Sequence, residues 1–157
     1  MKKLLVFMPL LIAAVSCKKD LPPVVAPTLP VKQLSVKVNG SAEGCSTCYG
    51  GSSSGGTQEA NFAISSNEAV RLFFEGIPPA GTYSLSSSNY SVSMIYERIN
   101  GLSYTYYHAV SGSIAITSID TSSHGVVNKL AATFNFQTDT IGGQAYAVTD
   151  GTINLKP

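Results

Sequence analysis

Leu130-Ala131-Ala132-Thr133-Phe134-Asn135-Phe136 places Leu130, Ala132, Phe134 and Phe136 at every second position, with Thr133 and Asn135 between the last three. A spacing of two matches a pleated strand, whose side chains leave the backbone on alternate sides. One side of this strand is apolar and the other polar, so it covers a core with one face and meets water with the other. The same pattern recurs on both sides of it. Upstream, Leu34, Val36 and Val38 alternate with Ser35 and Lys37. Phe62 and Ile64 mark another strand, as do Tyr83 with Leu85, Val92 with Met94 and Tyr96, and Ile114 with Ile116. Downstream, Tyr146 with Val148 and Ile153 with Leu155 repeat it. Val70, Leu72 and Phe74 fit a strand, with a short helix as the open alternative.

Between these segments stand the residues that tight turns demand. Asn39-Gly40, His124-Gly125, Gly142-Gly143 and Asp150-Gly151 each read as a turn, and Ile77 to Gly81 as a longer one. Asn100-Gly101 reads as a type I′ hairpin. Residues 50–56 are only glycine and serine and read as a flexible loop. About nine or ten short strands at this spacing, without a long amphipathic helix, predict an all-β fold, an antiparallel β-sandwich or barrel.

The N-terminus carries an address. Lys2 and Lys3 precede an apolar run from Leu4 to Val15, whose 12 residues would rise only about 18 Å as a helix. That is too short for the ~30 Å hydrocarbon core and fits a secretory h-region. Ala14-Val15-Ser16-Cys17 resembles a bacterial lipobox, in which the chain is cut before the cysteine and lipid is attached to it. The expected organisation is a signal peptide over 1–16, lipidated Cys17 with a proline-rich tether over 17–30, and a single all-β domain over 31–157. Pro22, Pro23, Pro27 and Pro30 favour an extended stalk, whose reach over 18–30 would be on the order of 40 Å. Lys18 stands where the inner-membrane retention signal resembles an aspartate. The expected localisation is therefore the outer membrane, lipid-anchored, on the periplasmic face or the cell surface.

The chain has 10 basic and 9 acidic residues. Without a basic stripe, nucleic acid is not an expected partner; the expected partners are the membrane, through the lipid, and a glycan or protein ligand. Removing Cys17 from the count leaves Cys45 and Cys48. In an oxidising compartment such a pair forms a disulfide. A redox Cys-x-x-Cys needs a helix N-terminus to acidify its first thiol, and no helical pattern follows Cys48. Zinc on Cys45, Cys48, His108 and His124 has suitable ligand types but not finger spacing. No Gly-x-Ser-x-Gly elbow and no calcium loop occur, and Asp120, Asp139 and Asp150 read as turn caps. No metal, cofactor or catalytic residue is expected.

Tyr104, Tyr106 and Tyr107 fall within one strand. Tyr104, Tyr106 and His108 share one face, and Thr105 and Tyr107 the other. Exposed tyrosines offer flat area and a hydroxyl, so these three are the candidate ligand-stacking residues.

Ala80-Gly81-Thr82-Tyr83-Ser84-Leu85, Ser111-Gly112-Ser113-Ile114-Ala115-Ile116-Thr117, Ala132-Thr133-Phe134-Asn135-Phe136 and Val148-Thr149-Asp150-Gly151-Thr152-Ile153-Asn154 follow one another in an order. That order resembles a family of uncharacterised Bacteroidota lipoproteins, a domain of unknown function. Val38-Asn39-Gly40 resembles its opening strand. Ala132 stands where the family prefers glycine, and Cys45 to Cys48 with the glycine-serine run stand where an aromatic-containing segment is usual. The resemblance implies an all-β lipoprotein and brings no activity and no catalytic residues. The expected function is an outer-envelope lipoprotein with a non-enzymatic binding or scaffold domain. The alternative is a small thiol-disulfide or metal-dependent activity centred on Cys45 and Cys48.

Overall fold

A computed structural model describes residues 33–45, 48–88 and 91–157. Cys17, the signal-peptide stretch and the proline-rich stretch lie outside the described residues.

Ten strands carry the fold: β1 (Leu34–Val38), β2 (Ser41–Cys45), β3 (Tyr49–Ser54), β4 (Thr57–Ser65), β5 (Glu68–Glu75), β6 (Gly81–Ser84), β7 (Val92–Asn100), β8 (Ser103–Thr121), β9 (Val127–Thr138) and β10 (Ala147–Leu155). Every pairing is antiparallel, and the order across the sheet is β2-β1-β10-β9-β8-β7-β5-β4-β3, with β6 also on β8. No helix occurs among the described residues. The all-β antiparallel expectation holds, as one strongly curled sheet, a half-barrel. The curl brings β3 at one end against β9, where the Tyr49 hydroxyl donates to the carbonyl oxygen of Val127.

The alternation sets the inside. Leu34, Val36, Phe62, Val70, Leu72, Phe74, Met94, Tyr96, Ile114, Ile116, Leu130, Phe134, Phe136, Val148 and Ile153 are all buried in one cluster. Fully burying one such side chain contributes roughly 1.5–3 kcal/mol. A slip of one residue in any strand would turn its row to solvent. That penalty holds the register. Val70, Leu72 and Phe74 lie in β5, which pairs on both edges with β4 and β7, so the helical alternative fails.

Four local expectations change. Residues 50–54 form most of β3, paired from Tyr49–Phe62 to Ser54–Thr57, with Gly55 and Gly56 as the turn. Pairing to β4 supplies the structure that the side chains do not. Asn100 closes the β7–β8 ladder opposite Ser103, so the two-residue turn is Gly101-Leu102, with only Gly101 at positive φ (62°); that is the II′ pattern and not I′. The segments around Tyr106 and Ile114 are one 19-residue strand, β8, which bends at a bulge between Ala109 and Ser111. Asp150-Gly151 does not turn the chain. The register on β9 passes from Val148–Phe136 to Gly151–Phe134, so these residues form a bulge inside β10. Asp150 takes φ 52° there and pairs with Lys37 at 2.9 Å.

Cys45 ends β2 and Cys48 precedes β3, so the pair joins the two opposite ends of the curled sheet. Their sulfurs are bonded, with Cα atoms 5.8 Å apart. Gln33 steadies the junction, its side-chain oxygen accepting from the Cys48 and Tyr49 amides at 2.9 and 3.2 Å. A ring this small removes little freedom from the unfolded chain, about 2 kcal/mol in the loop-entropy account. Cys45→Ser with Cys48→Ser is therefore expected to lower stability by no more than that. Urea melts of the two proteins check it; a loss of the fold would mean that the link closes the seam.

Candidate functional site

The outward rows of β4, β5, β7 and the first part of β8 carry the chemistry. Register places Tyr106 opposite Glu97, His108 opposite Ile95, and Tyr104 opposite Ile99. On the other edge of β7, Arg71 lies opposite Ile95. Glu97 is only 1% exposed although its row faces outward. Arg71 explains this. Its Nε donates to Glu97, and its Nη1 donates to Glu59 Oε1 at 3.0 Å. Ser52 donates its hydroxyl to the other Glu59 oxygen at 3.1 Å. Burial works against the Arg71 charge, and its surroundings, Glu97 foremost and then Glu59, together outweigh it, holding the guanidinium above its ordinary value.

Tyr106 lies over this chain of charges, its ring centroid 5.5 Å from the guanidinium carbon. Tyr104 stacks beside it at 6.4 Å, the planes only 10° apart. Both stand in solvent, at 55% and 40% exposure for Tyr104 and Tyr106. Beyond Tyr106 the row continues through His108 and Val110 into a groove of about 600 Å³. Phe73, Ile95 and Val110 give it an apolar floor, and Ser86, Ser93, His108 and Asp139 its polar border. The His108 amide donates to Asp139 Oδ1 at 2.8 Å, which ties the groove wall to the end of β9. A parallel aromatic pair, one ring of it over a fixed cation, opening into an apolar groove, is suited to holding an extended ligand by stacking and contact.

Tyr107 does not join the pair. It is 5% exposed on the inner face, with its ring 6.4 Å from Tyr96 and 4.8 Å from Tyr146. The one-residue offset from Tyr106 puts it through the sheet, so its stacking partners are core rings.

Cys45 and Cys48 each adjoin a strand, and neither meets a helix N-terminus among the described residues. His108 is on the outer face of β8, and His124 is in an exposed turn beside Ser123. Among the described residues no three His, Cys, Asp or Glu side chains group to hold a metal ion. Asp120 accepts from the Thr121 amide at 2.8 Å within β8, and Asp139 caps β9. The Glu59–Arg71–Glu97 chain and the groove were not among the sequence expectations.

The molecule is thus an antiparallel half-barrel carrying an aromatic strip on its outer face. Residues 58–156 match a family described as a domain of unknown function, DUF6252, and the chain belongs to that family. The match starts in β4 and takes in every residue of the strip and groove, while Cys45 and Cys48 fall before it. No curated protein and no solved structure matches the chain.

Proposed function

We propose that the protein is an outer-membrane lipoprotein of a Bacteroidota-type envelope, anchored by lipid on Cys17 and raised on its proline-rich segment, and that the half-barrel is a non-enzymatic binding module. The ligand is an extended glycan laid along Tyr104 and Tyr106, with its flank in the groove beside Ile95. The observation that carries this reading is the parallel, exposed tyrosine pair, with Tyr106 seated on Arg71. Two flat rings held parallel offer aromatic area at a fixed spacing, and the ion chain beneath Tyr106 fixes that ring before any ligand arrives. From Tyr104 to His108 the row covers about 14 Å at ~3.4 Å per residue, a length for a polymer and not for a single small molecule.

Two measurements test it. Palmitate labelling of the cells should mark the wild type and not Cys17→Ala; label that survives the substitution removes the anchor. A glycan array followed by calorimetry should find a ligand whose affinity falls roughly tenfold in Tyr104→Ala and in Tyr106→Ala, about 1.4 kcal/mol each. An empty array, or affinity unchanged in both variants, removes the binding strip.

A further inference from the structure

We infer that the end of the half-barrel beside the β7–β8 hairpin holds a second binding site, for a single neutral sugar residue, independent of the outer strip. Three connections meet there. The Ile99 amide donates to the Asn67 carbonyl oxygen at 2.8 Å, tying the β4–β5 turn to β7. Tyr107 and Tyr146 both point their hydroxyls at Gln144, from the β9–β10 connection. Between these elements lies a cavity of about 430 Å³, lined by Asn67, Arg98, Asn100, Thr105, Tyr107 and Gln144. Open barrel ends are favoured ligand sites, and this volume falls in the ordinary range for them.

The lining is strongly polar, and its donors are already oriented. Arg98 Nη1 donates to the Tyr146 hydroxyl at 2.9 Å. That hydroxyl donates on to Gln144 Oε1 at 3.3 Å, and Tyr107 donates to the same oxygen at 3.5 Å. The Gln144 carbonyl is thus taken twice, which leaves its amide nitrogen with two hydrogens to offer. Arg98 keeps further N–H groups besides the one on Tyr146. Below it in the same inward row, Tyr96 is 0% exposed, with its ring 4.7 Å from Tyr146. Burial and a hydrogen bond to the Glu68 carboxylate hold the Tyr96 hydroxyl protonated, well above its ordinary value, beneath the polar cluster.

The charge balance selects the ligand. Glu68 Oε1 is 3.6 Å from Arg98 Nε, so the cation already faces an anion. A carboxylate or phosphate entering here would meet Glu68 as well as Arg98. A sugar hydroxyl both donates and accepts. It can accept from Arg98 and the Gln144 amide while donating to Asn67 or Asn100. The Thr105 methyl supplies an apolar contact for the ring's C–H face. Thr105 and Tyr104 are adjacent in β8 and on opposite faces, so the two sites share a strand and no side chain.

The side-chain amides of Asn67, Asn100 and Gln144 report on the cavity directly by nitrogen-15 NMR. Glucose, galactose, mannose and N-acetylglucosamine are titrated in turn, with acetate and phosphate as anionic arms. At least one sugar should shift all three amides saturably. Its affinity should fall at least tenfold in Gln144→Ala and stay within about twofold in Thr105→Val, which keeps the methyl, with the backbone spectrum otherwise kept. Tyr104→Ala and Tyr106→Ala should leave it unchanged, which separates this site from the outer strip. No shift with any of the four sugars up to roughly 50 mM, enough to reveal millimolar affinity, overturns the inference. So does saturable binding of acetate or phosphate in place of sugar, or sugar binding lost with Tyr104 and kept without Gln144.

Discussion

Gly112→Ala is expected to lose about 4 kcal/mol of stability, the sum of two costs that fall at one residue. Gly112 has φ 128°, a conformation that a side chain strains. Strain of this kind costs roughly 1–3 kcal/mol. A methyl group there would also meet the carbonyl oxygen of Asn135 and lie 2.6 Å from the Phe136 Cα. Both atoms belong to the backbone of β9, which is held in the middle of the sheet and cannot step aside. Forcing extra volume into such a place adds roughly 1–3 kcal/mol. A domain with the usual ~5–15 kcal/mol would lose a large part of it. The position matters because β8 changes neighbours here. Up to His108 it pairs with β7, and from Ser113 it pairs with β6. The Gly112 carbonyl accepts from the Leu85 amide at 3.0 Å, which fixes the start of the loop that borders the outer groove. Gly142→Ala is the control. Gly142 has φ 58° and open space around its Cα, so only the strain of roughly 1–2 kcal/mol applies. Urea unfolding of both variants reads the difference. Equal losses would show that β9 yields to the methyl group and that the bend of β8 does not depend on close approach.

That bend also shows where reading the residues in order succeeds and where it stops. Leu130 to Phe136 declares a strand because its own side chains alternate, and most of the core rows are visible in this way. The glycine-serine run of β3 is not, because a strand at the sheet's end is made by hydrogen bonds to β4 and needs nothing from its side chains. Turn residues mislead for a related reason. Asp150-Gly151 has the chemistry for positive φ, and a bulge inside β10 uses that chemistry as readily as a hairpin would. Gly151 in addition leaves room for the Phe134 ring, whose carbons would lie 2.5 Å from a Cβ there, and nothing near Gly151 in the chain announces Phe134. The site divides along the same line. Parity alone separates Tyr104 and Tyr106 from Tyr107. The Glu59–Arg71–Glu97 chain depends on β5 lying between β4 and β7, with β6 placed elsewhere, and strand order is not written in any one segment. A charged residue at an outward position within an apolar strand, as Arg71 is between Val70 and Leu72, is the one local sign of it.

Arg71→Met should be the most damaging change on the outer face, at about 3–5 kcal/mol. Glu97 is almost wholly buried and has Arg71 as its ion-pair partner, with Glu59 on the far side of the same guanidinium. Removing the cation leaves two carboxylates facing each other across a gap, one of them without water. Such a loss is mainly the penalty of an unpaired buried charge and not the worth of the pair, so the penalty should vanish with the charge. Glu97→Gln placed on the Arg71→Met background is therefore expected to recover about half of the loss, a coupling of roughly 2 kcal/mol in a double-mutant cycle. High salt separates this from a surface effect. An exposed pair is screened away at about 1 M salt, where the Debye length is ~3 Å, whereas a buried pair keeps most of its coupling. If the double variant were no more stable than the sum of the single losses predicts, Glu97 would not depend on Arg71. The cycle also reaches the binding strip. Tyr106 rests on the guanidinium, so the charge-neutral double variant, folded though it is, should hold a stacked ligand more weakly than the parent. Unchanged affinity in that variant would show that the tyrosine pair orders itself, and that the ion chain beneath serves only the sheet.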